Sequence, residues 1–207
     1  MSLRRPTVLA AALALTVGVT GCATSSYDTA HPTAKDQQQG VLVGHQVADN
    51  NDDGTYIESG GITYQLEISR VLNPWAAQDS QYFKGLPRGT PVDRIKPDQL
   101  WYGVFLWAKN QHHRAITTSD SFEIVDTSGT VYRPTKLNPN LNPFAWNARS
   151  LVYGETEPSQ DSVASQYFSG GKLILFKLNT SIYSNRPLTL YILSPGGTRI
   201  GEISLDL

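Results

Sequence analysis

Three groups of residues have types and spacings that could do chemistry. Asp49, Asn51, Asp53 and Gly54, in "DNNDDGTYIESG", match the first half of a calcium loop, D-x-[DN]-x-[DN]-G. Oxygen ligands at alternate positions and a glycine turn suit a hard cation. The twelfth position should be a bidentate Glu. It is Gly60, and Glu58 comes two places early. The alternative is a solvated acidic turn feeding the next strand, and half-motifs of this kind are common enough to favour it. Glu155, Glu157 and Asp161 are carboxylates close in sequence. Acid–base hydrolysis needs two acids held at set distances across a bond, and closeness in sequence does not supply that. His112 and His113 are adjacent, and strand neighbours point to opposite faces. They are expected at the exposed end of a strand and not on one ion. His31 and His45 suggest no role. Cys22 is the only cysteine, so thiol chemistry has one candidate.

Other chemistries are missing from the sequence. There is no G-x-S-x-G elbow. No H-E-x-x-H, P-loop or G-x-G-x-x-G is present. No catalytic residue, metal ligand set or cofactor is therefore assigned. Lys and Arg together number 17 against 18 Asp and Glu, a formal charge of −1. No basic stripe points to nucleic acid.

The setting of Cys22 explains why a single thiol is kept. Arg4 and Arg5 precede an uncharged run from Val8 to Val19. That run is shorter than the roughly 20 apolar residues a membrane span needs, and it fits the apolar core of a secretion signal. It leads into Val19-Thr20-Gly21-Cys22, which resembles the bacterial lipobox: an apolar residue, two small residues, then cysteine. The resemblance implies a diacylglycerol thioether on Cys22 and cleavage before it. Each buried methylene contributes about 0.8 kcal/mol, so two or three chains on one residue anchor stably. Removing residues 1–21 takes away Arg4 and Arg5 and moves the formal charge to −3.

The expected organisation is a lipoprotein signal peptide at 1–21, a flexible tether at 22–40 and a folded domain at 41–207. The tether, "ATSSYDTAHPTAKDQQQG" after Cys22, is too poor in apolar residues to offset chain entropy. The expected place is the cell membrane, lipid-anchored on its extracytoplasmic face. The membrane is the partner through Cys22, and an envelope protein or glycan is the candidate ligand.

The domain reads as strands. Ile62, Tyr64, Leu66 and Ile68 alternate with Thr63, Gln65, Glu67 and Ser69, a period of two with one face buried. "YGVFLWAKN", from Tyr102, is apolar at both parities and should be central. Phe105 and Trp107 share one face of it, and Tyr102, Val104 and Leu106 the other. One face meets an opposing sheet. The other needs a cover, for which "NPWAAQDSQYFKGLP" is the candidate. "SFEIVD" and "TVYRP" flank Thr127-Ser128-Gly129 as a hairpin. "GKLILFKLN", "PLTLYIL" and "RIGEISLDL" are further strands, and "VLVGHQV" is a weaker one. Short helical turns are expected near 74–82 and 159–167. The fold class is all-β, an immunoglobulin-like antiparallel β-sandwich.

Four marks carry a family resemblance: Lys109-Asn110 ending a strand, Asp126 with Gly129 in a hairpin, Gly154-Glu155 in a loop, and Phe176 in an apolar strand. With them, residues 62–193 resemble the telokin-like, immunoglobulin-fold domain of unknown function found on many bacterial surface lipoproteins. The segment "KLNPNLNPFAWNARS" and the last strand depart from that pattern. The resemblance implies a non-catalytic binding or scaffolding module and brings no catalytic residues. The alternative is an envelope-acting enzyme or accessory using the Glu155, Glu157 and Asp161 carboxylates. A third reading is a metal-dependent binder built on Asp49–Gly54. Trp75, Phe144 and Trp146 would mark a carbohydrate or protein surface if exposed, whereas burial would make them core.

Overall fold

Gly60 and Gly61 both have positive φ, 61° and 82°, the backbone that a two-residue hairpin of matching twist requires. They join β2 (Thr55–Ser59) to β3 (Ile62–Leu72), with Ser59 opposite Ile62 and Ile57 opposite Tyr64. The computed structural model describes residues 42–43, 55–92 and 95–205. Ahead of the hairpin lies β1 (Leu42–Val43), the described part of the weaker "VLVGHQV" strand.

The apolar run at Tyr102 forms β4 (Gln99–Lys109), paired with β3 on one side and with β10 (Lys172–Asn179) on the other. It is central and covered on both faces, as its apolar character at both parities requires. The first sheet runs β10-β4-β3-β2, with β9 (Thr156–Glu157) pairing the far end of β4. The second sheet contains β6 (Ser121–Val125), β7 (Val131–Tyr132), β11 (Leu188–Leu193) and β12 (Arg199–Leu205) in the order β1-β12-β11-β6-β7. Its pairs are antiparallel except for β1 beside β12. A small pair, β5 (Ile116–Thr117) with β8 (Ser150–Leu151), closes one end. The protein is an antiparallel β-sandwich. Among the described residues no helix is long and apolar enough to cross a membrane.

Two apolar layers result. Between the sheets, Tyr102, Val104 and Leu106 of β4 and Phe176 of β10 meet Phe122 and Ile124 of β6, Leu190 of β11 and Ile203 of β12. On the outer face of the first sheet, Trp101, Phe105, Leu173 and Leu175 are covered by Tyr82, Phe83, Phe144 and Ala164. Tyr82 and Phe83 belong to a 3-10 turn at Ser80–Phe83, and Ala164 to a single helical turn at Val163–Gln166. The cover is thus the segment expected from the aromatic content of β4, helped by two others. Tyr82 sits edge-on to Phe105 at 5.0 Å and to Phe144 at 5.1 Å, the geometry aromatic quadrupoles favour.

One expectation fails at β3. Ile62, Tyr64, Leu66 and Ile68 do not share a face. The register slips between Leu66, opposite Leu106, and Ile68, opposite Phe105. An extra residue in one strand reverses the parity of everything after it. Ile62 and Tyr64, with Leu66 against them, therefore pack between the sheets, whereas Ile68 and Leu72 pack in the outer layer. The bulge lets one strand serve both layers.

Gly171 sets a close approach at the start of β10. A Cβ there would lie 2.9–3.0 Å from the backbone O, C and N of Leu106, and backbone in a central strand cannot swing aside. Gly171→Ala is expected to cost about 1–3 kcal/mol. Urea unfolding of parent and variant checks this; an unchanged midpoint would contradict the close approach.

Candidate functional site

Two of the three candidate carboxylates, Glu155 and Glu157, come together around a cation. Arg149 donates from Nε to Glu157 Oε2 at 2.6 Å, from Nη1 to Glu155 Oε1 at 3.2 Å and from Nη2 to the Thr156 carbonyl at 2.8 Å. Lys172 Nζ lies 3.6 Å from Glu157 Oε1. Glu155 Oε2 accepts the Val152 N–H at 2.8 Å. That backbone bond, followed by the Arg149 bond, holds the Glu155 carboxyl below the usual carboxylate range. Glu157 is buried on β9. Asp161 is exposed on the following loop and takes no part in the group. The fork and both glutamates tie the Gly154-Glu155 loop to the end of β4.

The two histidines point to different partners. His112 Nε2 is 3.0 Å from Glu58 Oε1, and His113 stacks on Tyr153 with ring centroids 4.3 Å apart. They follow the end of β4 as expected. Glu58, two places early for a calcium loop, is buried and engaged by His112. Asp49, Asn51, Asp53 and Gly54 lie outside the described residues, as do Cys22, His31 and His45. Among the described residues no three His, Cys, Asp or Glu side chains are grouped to hold a metal ion.

Two asparagines do structural work that the sequence reading did not assign. Asn110 is fully buried, and its Nδ2 donates to the carbonyls of Arg114 and Leu151, each at 2.7 Å. Its Oδ1 accepts the His112 N–H at 2.8 Å. Asn142, also fully buried, donates to the carbonyls of Tyr82 and Lys84 and accepts from the Phe144 N–H. It fastens the Pro/Asn-rich segment to the 3-10 turn of the outer layer. Only burial distinguishes these residues from ordinary turn asparagines.

The aromatics divide. Tyr82, Phe83, Trp101, Tyr102, Phe105 and Phe144 are core. Trp75 is 76% exposed on the loop after β3. Trp146 is half-buried, in a perpendicular ring contact with Phe122 at 5.5 Å and a tilted contact with Tyr64 at 6.2 Å.

Trp146 stands in the wall of a cleft of about 340 Å³. The cleft forms where the segment after β7 runs along the outer edge of β10. Thr135 N–H bonds the Leu175 carbonyl at 2.7 Å, Leu173 N–H bonds the Phe144 carbonyl at 2.6 Å, and Trp146 N–H bonds the Leu173 carbonyl at 2.8 Å. Thr135 to Leu137, Trp146 to Ala148 and Leu173 to Leu175 line the cleft, together with Asp120 and Phe122. Ser119 fixes part of this lining. Its N–H donates to Tyr64 Oη at 2.7 Å, its hydroxyl donates to the Leu193 carbonyl at 2.7 Å, and its carbonyl accepts the Trp146 indole N–H at 2.8 Å. Burial pushes the Tyr64 phenol well above its ordinary pKa, so it stays a neutral acceptor.

Fold and site together define an antiparallel β-sandwich with a ligand-sized cleft beside one sheet edge. The chain is similar to the yjhA protein of Bacillus subtilis, at 12% identity over 75% of this chain and 97% of that one, with a TM-score of 0.40. It is similar to an uncharacterized beta-sandwich protein of Clostridium difficile 630, at 13% identity over 74% and 91%, with a TM-score of 0.41. A third likeness is to the "putative lipoprotein" ycdA of Bacillus subtilis, at 12% identity over 75% of this chain and 39% of that one, with a TM-score of 0.43. No family model and no curated protein matches the chain.

Proposed function

We propose that the protein is a non-catalytic binding or scaffolding module of the cell envelope, tethered to the extracytoplasmic face of a membrane through a lipid on Cys22. The observation that carries the reading is the ordered set Arg4-Arg5, the uncharged run to Val19, and Val19-Thr20-Gly21-Cys22. A thioether-linked diacylglycerol consumes the lone thiol, and two or more chains make the attachment stable.

Two features support the non-catalytic part. Glu155 and Glu157 are both committed to Arg149. The marks shared with the telokin-like immunoglobulin-fold domain also have structural work. Asn110 joins loops, Asp126 closes a hairpin, Gly154 takes a φ of 79° and Phe176 packs between the sheets. The module presents the cleft beside Trp146 as its ligand surface.

Cys22→Ser is expected to abolish acylation and either to release the protein from the membrane fraction or to leave it unprocessed. Radiolabelled palmitate incorporation and fractionation of cells read this directly. A variant that is acylated and membrane-bound like the parent overturns the address. Crosslinking in intact cells should join the parent protein to an envelope component; a parent that crosslinks to nothing there counts against the module.

A further inference from the structure

We infer that the cleft beside Trp146 binds a neutral pyranose sugar of an envelope glycan, with one ring stacked on the indole and its hydroxyls read from the rim. This rests on the proposed binding-module reading and adds the ligand class and the site. At about 340 Å³ the space lies near the lower end of small-molecule sites, the scale of one or two sugar rings.

The indole is preorganised. Its N–H is held by the Ser119 carbonyl, and its ring packs perpendicular to Phe122 and at a tilt of 36° to Tyr64. Its backbone N–H is bonded to Leu173. A platform fixed in this way loses little freedom on binding. A pyranose has an apolar C–H face to set against a ring, and hydroxyls around its edge that donate and accept. The rim supplies complementary groups on exposed side chains: the Asp120 carboxylate accepts, the Lys136 ammonium donates and the Asn147 amide does both. One acid and one base at the rim leave little net field, which suits a neutral ligand better than a polyanion.

An added peptide strand fits less well. Leu173 already uses its N–H and carbonyl on Phe144 and Trp146, and the Leu175 carbonyl is bonded to Thr135. The edge of β10 therefore lacks the free ladder that strand addition needs. A proline-rich helix needs a groove lined by several aromatics. Here Phe122 is 3% exposed, which leaves the one indole as platform.

The test is calorimetric titration of the full-length protein in a sugar-free detergent. The probes are the neutral sugars chitotetraose, cellotetraose and maltotetraose, with a proline-rich decapeptide for comparison. The expected result is saturable binding of at least one sugar. Asp120→Ala and Asn147→Ala, both exposed, should each weaken it about tenfold with melting unchanged, the effect of losing one good hydrogen bond. The proposal is overturned if no sugar binds saturably, if both variants bind as the parent does, or if only the decapeptide binds. Sugars that stay silent while envelope crosslinks persist sink this inference and leave the module reading intact. Saturable sugar binding without any envelope crosslink does the reverse.

Discussion

Arg149→Met is expected to destabilise the protein by about 2–4 kcal/mol. Breaking a buried ion pair by removing one partner costs roughly 3–5 kcal/mol, because a charge is left without its partner. Glu157 is buried, and among the described residues Lys172, at 3.6 Å, is the other cation beside it. The Arg149 side chain is 33% exposed, so solvent screening lowers the figure. The melting temperature should fall by roughly 5–15 °C, at about 2–4 °C per kcal/mol for a domain of this size. Calorimetry of parent and variant measures it. A double variant, Arg149→Met with Glu157→Gln, should recover part of the loss, since the uncompensated charge is then gone. If the double variant is as unstable as the sum of the single changes, the pair is not coupled as described.

Asp126→Asn is expected to cost about 2–4 kcal/mol at neutral pH, with a pH dependence of defined sign. Asp126 is 4% exposed. Its Oδ1 accepts from Ser128 N–H at 3.0 Å, Ser128 Oγ–H at 2.6 Å and Thr130 N–H at 2.9 Å, and its Oδ2 from Tyr132 O–H at 3.2 Å. Bonds to a charged acceptor contribute roughly 1.5–3 kcal/mol each. Ser128 and Thr130 lie at the exposed tip of the turn, so the total is set well below a simple sum. Burial by itself raises the carboxyl pKa. The Ser128 hydroxyl and the Thr130 N–H, with the Tyr132 and Ser128 N–H bonds, outweigh it and hold the group below the ordinary carboxylate range.

A folded pKa below the unfolded one gives stability that is present in full above the unfolded pKa, about 3.9, and lost as pH falls through the folded value. The stability gap between parent and Asp126→Asn should therefore be flat above about pH 5 and shrink below about pH 4. Urea unfolding across that range tests it. A gap that stays constant while both proteins remain folded at low pH would falsify the linkage.

The strands and the two-sided burial of β4 were legible because they rest on local alternation, and a period of two survives in any context that buries one face. The Thr127-Ser128-Gly129 hairpin was legible because turn chemistry is local too: Gly129 has a φ of 84°, and Asp126 bonds groups within six residues of itself. The β3 bulge was not. Nothing in "ITYQLEIS" sets Glu67 apart from the other polar positions. The slip is decided by Leu106 and Phe105, which demand apolar neighbours on opposite faces of the same pair of strands.

The same division holds for the site. Arg149 gave no signal in sequence, because an arginine between a Pro/Asn-rich segment and a loop is ordinary. Its role exists only once β9 pairs the end of β4 and brings Glu157 inward. The cleft is less local still. Asp120, Lys136 and Asn147 are separated by 16 and 11 positions, and they converge because the segment after β7 is bonded to the edge of β10 at Thr135 and again at Trp146.

By itself, the sequence determined the β class and the central place of Tyr102–Lys109, and it is the basis on which the membrane address through Cys22 is proposed. These depend on the order of neighbours along the chain, and that order is unchanged by folding. Tertiary structure alone decided that Glu155 and Glu157 serve an arginine, that Asn110 and Asn142 are buried joints, and that Trp146 faces a cleft. Each of these depends on groups distant in sequence meeting where water has been excluded, and there an unpaired polar group is costly enough to select its partner.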